Sequence, residues 1–298
     1  MAGRGGGGGG IARSGEGRVR WNERAVSGAV TAVMLLLIIS SVLSLVIMYY
    51  VPVWGEIDEN QHMRETLEQF YALRENIDAQ ILRETPVSVS TRVTLGREPS
   101  ALLGFSKTAG RLVTNPFNGS LAVYNTDDPG DVYVRSRGSV SFFSQNAYVS
   151  QQTFIYEQGA VLVSGGSDAA MRAPPHFSAS RGAAGNLSAS MLFVSLTGDY
   201  TSLAGTENVV VETRVVSKDW NVYEGAEWSL GKNISVNLTT TSPGAWARYF
   251  NETLSRPVTN LTMGADYSIE TGDGWVRLEL KAVTRLELCV AVVEARVR

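Results

Sequence analysis

Six Asn-x-Ser/Thr triplets make up the most frequent chemically meaningful pattern in the chain: Asn118, Asn186, Asn233, Asn237, Asn251 and Asn260. Each is a potential acceptor for an N-linked glycan, and such acceptors belong on the surface of an exported domain. Asn233 and Asn237 share one strand candidate, where a side-chain period of two puts both on one face. Glycans at both positions would need that face in solvent. Other groupings are weaker. Gly165-Gly166-Ser167-Asp168-Ala169 has the outline of a nucleophile elbow, which requires a helix directly after the serine. Pro174-Pro175 follow too soon, and His176 is too near in sequence to close a usual triad, so the segment reads as a turn. Asp127-Asp128-Pro129-Gly130-Asp131 offers oxygen ligands without the spaced order of a calcium loop, and Asp-Pro-Gly is ordinary turn chemistry. His62-x-x-Glu65 has no second histidine one turn away and reads as a solvated helix face. The single cysteine, Cys289, can form neither an intrachain disulfide nor a cysteine zinc site. It lies in the alternating stretch Leu286–Val293, as a small core residue would. The only histidines are His62 and His176. The expectation is a protein with no catalytic constellation, metal or cofactor, and so not an enzyme.

The elements that carry these residues begin with a membrane segment. Ala25–Val51 contains no charged residue. At about 1.5 Å per residue it is long enough for a hydrocarbon core of about 30 Å. Arg4, Arg13, Arg18, Arg20 and Arg24 precede it, whereas Glu56, Asp58 and Glu59 follow it. The bias predicts a cytoplasmic N-terminus and an external C-terminal part, a single-pass protein of the cell membrane. Tyr49, Tyr50 and Trp54 stand where an outer interfacial belt belongs. The apolar run exceeds the length of a secretory signal core. Gly5–Gly10 and their neighbours can bury nothing, which predicts a disordered tail.

Beyond the membrane segment, Ile57, Met63, Leu67, Phe70, Tyr71, Ile77 and Ile81 recur in steps of three and four, so Trp54–Glu84 reads as an amphipathic helix. Pro52 predicts a bend at the junction, and Thr85-Pro86 a stop. From Val87 the period becomes two. Strand candidates are Val87–Leu95, Ser139–Phe143, a Thr153–Val163 hairpin turning at Gln158-Gly159, Ser190–Thr197, Val209–Ser217, Asn233–Thr240 and Trp275–Val297. Ala173-Pro174-Pro175 reads as a rigid extended connector. One short helix is expected between Thr241 and Arg256, with Ser242 as its N-cap and Pro243 in its first turn. The fold class is therefore α+β: a tail over 1–24, a transmembrane helix over 25–53, an amphipathic helix over 54–85, and a large antiparallel β-rich head over 86–298. The formal net charge of −3 gives no basic stripe for nucleic acid.

Two stretches carry a family resemblance. Glu23-Arg24-Ala25-Val26-Ser27, directly before the apolar run, resembles the class III signal of archaeal type IV pilin-like proteins. Phe154–Val163 followed by Met171–Phe177 is similar to a group of archaeal pilin-like surface proteins in which a Tyr-x-x-Gly-Ala hairpin precedes a Pro-Pro-x-Phe segment. The resemblance implies a processing site at Arg24, Ala25, Val26 and Ser27, cut between Ala25 and Val26 by a prepilin-type peptidase. It further implies that the apolar helix stays on the mature protein and that other pilin-like subunits are partners. Val30 stands where bacterial pilins carry a glutamate. The function expected on this resemblance is a membrane-anchored pilin-like surface subunit, assembled or used in adhesion. The alternative is an uncleaved, single-pass anchored binding domain that forms no filament.

Overall fold

The computed structural model describes residues 23–83, 87–97, 108–115, 119–128, 132–166, 168–182 and 185–298. The Gly-rich tail, the Thr85-Pro86 stop and Asn118 lie outside the described residues. The chain divides into two compact units, one ending at Val51 and the other running from Pro52 to Arg298.

The first unit holds helix α1 (Glu23–Leu45) and a π turn (Val46–Tyr50). Aliphatic residues dominate α1, and two of its hydroxyls bond back to the helix. Thr31 Oγ1 donates to the Ser27 carbonyl at 2.9 Å and Ser41 Oγ to the Leu37 carbonyl at 2.8 Å. Such back-bonding pairs both hydroxyls without water. Pro52 lacks an N–H, and its ring crowds the carbonyl four residues back. Just ahead of Pro52 the helix takes a wider π turn, and the Val51 N–H donates to the Val46 carbonyl.

The second unit opens with helix α2 (Val51–Leu82). Its buried stripe runs Glu59, His62, Met63, Thr66, Phe70, Leu73, Ile77, Gln80 and Ile81, a helical spacing. Phe70, Leu73 and Ile77 are fully enclosed, each worth about 1.5–3 kcal/mol of burial. Polar residues fix the helix against the strands beside it. Gln69 accepts from the Thr94 backbone at 2.9 Å and donates to Thr94 Oγ1 at 3.0 Å. Ile57, by contrast, is 57% exposed, so the apolar face begins later than the sequence suggests.

The strands are β1 (Val89–Thr94), β2 (Ala109–Thr114), β3 (Ser120–Asn125), β4 (Val132–Arg137), β5 (Ser139–Gln145), β6 (Thr153–Glu157), β7 (Ala160–Gly165), β8 (Asp168–Ala173), β9 (His176–Arg181), β10 (Leu187–Thr197), β11 (Thr201–Gly205), β12 (Asn208–Tyr223), β13 (Lys232–Thr239), β14 (Tyr267–Gly272) and β15 (Trp275–Val297); helix α3 (Pro243–Leu254) follows β13. They form two sheets. The smaller runs β11-β2-β5-β6-β7-β8. The larger is organised on β15, a strand of 23 residues. The N-terminal half of β15 pairs with β13 and β14, and its C-terminal half with β12 and β10. The halves meet at Ala282, a left-handed residue (φ 54°). The β10–β15 pairing is parallel; all other named strand pairs are antiparallel. One apolar core lies under α2, with Val93, Leu112, Phe142, Phe154, Tyr156 and Val293 among its members. The other lies under α3 and holds Trp246, Phe250, Phe177, Phe193, Ile234 and Leu278. Cys289 is buried on β15, as its alternating context predicts. Ser242 occupies the N-cap of α3 without making a side-chain cap bond; its buried Oγ has no partner.

Candidate functional site

Every described apolar side chain of α1 faces outward. Exposures of the large ones, from Val30 to Leu45, lie between 51% and 64%. Ile47, Met48, Tyr49 and Tyr50 continue this surface through the π turn. Within the helix that contains α1, an 18-residue window of mean hydropathy 2.8 is wholly unburied. Among the described residues, one helix, near the N-terminus, is thus long and apolar enough to cross a membrane. Arg24, Ala25, Val26 and Ser27 fall in the first turns of α1. Ser27 is exposed.

On α2 the structure corrects one expectation. His62 is not on a solvated face. It is fully buried, edge-on to the Phe142 ring with centroids 6.0 Å apart. Neither ring nitrogen has a hydrogen-bond partner. Burial pushes its pKa down, because the charged ring would lose its water. Polarity suggested solvent, but Phe142 of β5 packs on this turn of the helix. Glu65, one turn on, does face outward and pairs with Arg97 at 2.5 Å. That guanidinium lowers the Glu65 pKa against a desolvation cost that raises it.

Two buried carboxylates were not legible in the sequence. Glu59, on α2, accepts from the backbone N–H groups of Ala147, Tyr148 and Val149 at 2.7, 2.8 and 2.7 Å. It thereby ties the β5–β6 loop to the helix. Glu157 closes β6. Its Oε1 accepts from Thr240 Oγ1 at 2.5 Å and Trp246 Nε1 at 2.8 Å, and burial raises its pKa. Among the described residues its Oε2 takes no hydrogen bond, and it points toward Gly119, where an added Cβ would lie 3.4 Å away. An alternating strand end beside a turn carries no mark that would single out such a residue.

Glu157 lines a cavity of about 480 Å³ on the outer face of the smaller sheet, with Arg111, Ser141, Phe143 and Thr153. A second cavity of about 640 Å³ is lined by Arg135, Arg137, Ser195 and Thr197. Gly119 and Tyr200 border both. Arg111 lies over the Phe143 ring at 4.8 Å.

The other sequence candidates do not converge. Asn186, Asn251 and Asn260 are exposed. Asn233 and Asn237 are half-buried, and Asn233 is engaged at both ends of its amide. It donates to Asp127 at 3.2 Å and accepts from the Ala282 N–H at 3.1 Å. Gly166 (φ 68°) turns β7 into β8, so a strand and not a helix follows the elbow-like segment; Ser167 itself lies outside the described residues. His176 is 3.3 Å from Asp78 of α2. Asp127 and Asp128 are exposed, and Pro129–Asp131 lie outside the description. Among the described residues, no group of three or more His, Cys, Asp or Glu side chains is placed to hold a metal.

A protein-family model matches residues 24–298, nearly the whole chain. The chain belongs to DUF7289. The description attached to DUF7289 is a family of unknown function. No curated protein and no solved structure matches the chain.

Proposed function

We propose that this DUF7289 member is a pilin-like surface subunit, held in the cell membrane by α1 with its β-rich unit outside. The observation that carries the reading is α1 itself. It is a helix with an outward-facing apolar surface on all sides, which requires either lipid or other copies of the same helix around it. Gly28, Ala32, Ser40 and Ser44 give it small-residue pairs at i, i+4 that permit close helix approach. The arginines ahead of it support a cytoplasmic N-terminus. The start of the family match at Arg24 leaves the Gly-rich tail outside the shared sequence. That fits a leader removed between Ala25 and Val26. The role is structural or adhesive rather than catalytic, and the exposed sequons at Asn186, Asn251 and Asn260 are the acceptors best placed for glycans.

Processing decides between this reading and an uncleaved anchor, which Val30, in place of a glutamate, favours. A peptidase at the membrane surface must approach the backbone beside a small residue. Removing the arginines also matters physically, because each would cost roughly 2.5–3.5 kcal/mol at a bilayer centre. The mature native protein should begin at Val26 by mass and N-terminal sequencing, and Ala25→Trp should accumulate as a larger membrane species. A native protein that still begins with the Gly-rich tail would leave the anchored binding domain as the answer.

A further inference from the structure

We propose that the paired cavities meeting at Gly119 and Tyr200 bind an acidic oligosaccharide, a chain of sugar rings bearing both hydroxyls and carboxylates. The inference stands on the second unit alone and holds whether or not α1 is processed.

The chemistry lining the two cavities is of two kinds. The first is unpaired cation. Arg111 on β2, and Arg135 and Arg137 on β4, line the two cavities. Among the described residues none of the three makes a salt bridge, whereas Arg214, Arg277, Arg285, Arg296 and Arg298 do. Arg135 and Arg137 are two apart on β4, opposite Ala122 and Ser120 of β3. They therefore share one face of a strand at the sheet edge. Three guanidiniums left free in a chain of net charge −3 are donors awaiting an anion, and carboxylates suit their planar forks.

The second kind is an acceptor that a plain polyanion would not want. Glu157 is 3% exposed, and among the described residues its Oε2 takes no hydrogen bond beside Gly119. A ligand group there must either donate to the carboxylate or accept from the carboxyl. A sugar hydroxyl can do both, whereas a phosphate chain has no donor to give. Ser139, Ser141 and Thr153 add hydroxyls on the same wall. Tyr200, 58% exposed where the cavities join, offers a ring face to a sugar ring. Volumes of about 480 and 640 Å³ lie within the range of small-ligand sites, and adjoining they suit a short oligomer rather than a single ring.

The test is titration of the full chain in detergent micelles with trigalacturonate, alongside maltotriose, hexaglutamate and tripolyphosphate at the same ionic strength. Saturable binding is expected for trigalacturonate, with the other three at least about tenfold weaker. Arg111→Gln and Arg137→Gln should each weaken it about tenfold, the loss of one charge-assisted hydrogen bond. Arg214→Gln, whose side chain lies elsewhere on an exposed pair with Glu294, should bind as the native chain does. All three arginines substituted are solvent-exposed, and unchanged circular dichroism would verify their folding. No saturable binding of trigalacturonate at millimolar concentration would overturn the proposal. So would equal binding of hexaglutamate or tripolyphosphate, or affinity that is indifferent to Arg111 and Arg137.

Discussion

Glu59 and His62 occupy neighbouring positions on the buried stripe of α2 and have opposite consequences. Glu59 gathers three backbone donors, so Glu59→Ala should cost about 2–4 kcal/mol, since charge-assisted bonds are worth roughly 1.5–3 kcal/mol each and water can recover part of the loss. Thermal unfolding would measure the cost, and limited proteolysis at residues 146–151 should accelerate. His62 gathers nothing. Its folded pKa lies below the unfolded value of about 6.5, so the unfolded chain binds more protons at mildly acid pH. Stability therefore falls as pH drops below about 6.5. Glu157 has the reverse sign. Its raised pKa means that stability is fully present below about 4.3 and declines as pH rises through the folded value. His62→Leu should remove the loss of melting temperature between pH 7.5 and 5.5, and an unchanged slope in that variant would refute the assignment. The sequence identifies both residues as polar members of a helix. It does not reveal their burial, because what covers them, Phe142 of β5 and the β5–β6 loop, lies far along the chain.

At the scale of elements, two glycines separate strain from space. Gly159 (φ 83°) completes the β6–β7 turn and has room for a Cβ, with its nearest neighbour at 3.6 Å. Gly159→Ala should therefore cost only the left-handed penalty, about 1–2 kcal/mol. Gly138 (φ 97°) joins β4 to β5, where an added Cβ would meet the Leu196 carbonyl at 2.2 Å. Gly138→Ala should cost clearly more, and chemical denaturation of the two variants side by side would rank them. The β6–β7 hairpin was legible because apolar alternation flanks a Gln-Gly turn. So was β15, from its long alternating run, and so was α3, from Ser242-Pro243 ahead of an apolar stripe. Strands β2, β3 and β4 were not. Each is six residues long and flanked by glycine and polar residues, so local pattern competes poorly with turn chemistry. Strands β8 and β9, which belong to different sheets, hid on either side of Pro174-Pro175. The extended connector between them was read correctly, but short polar strands such as Asp168–Ala173 carry little period.

At the scale of the whole molecule, α1 is the feature that sets behaviour in solution. If it is the anchor, protease added to intact cells should trim residues 87–298 and spare the arginine-rich tail; a protected β-rich unit would reverse the proposed orientation. The long apolar helix and the α+β class were both legible, since each rests on period and length. The parallel pairing of β10 with β15 was not, because no local signal couples segments so far apart. That spine has a temporal side. Every partner of β15, from β10 to β14, is synthesised before it and waits with an unpaired edge until residues 275–297 arrive. The second unit must therefore remain open through most of its synthesis. A chain in that state leaves apolar strand edges uncovered and is vulnerable to clumping, so this sheet closes late, once the last strand has arrived.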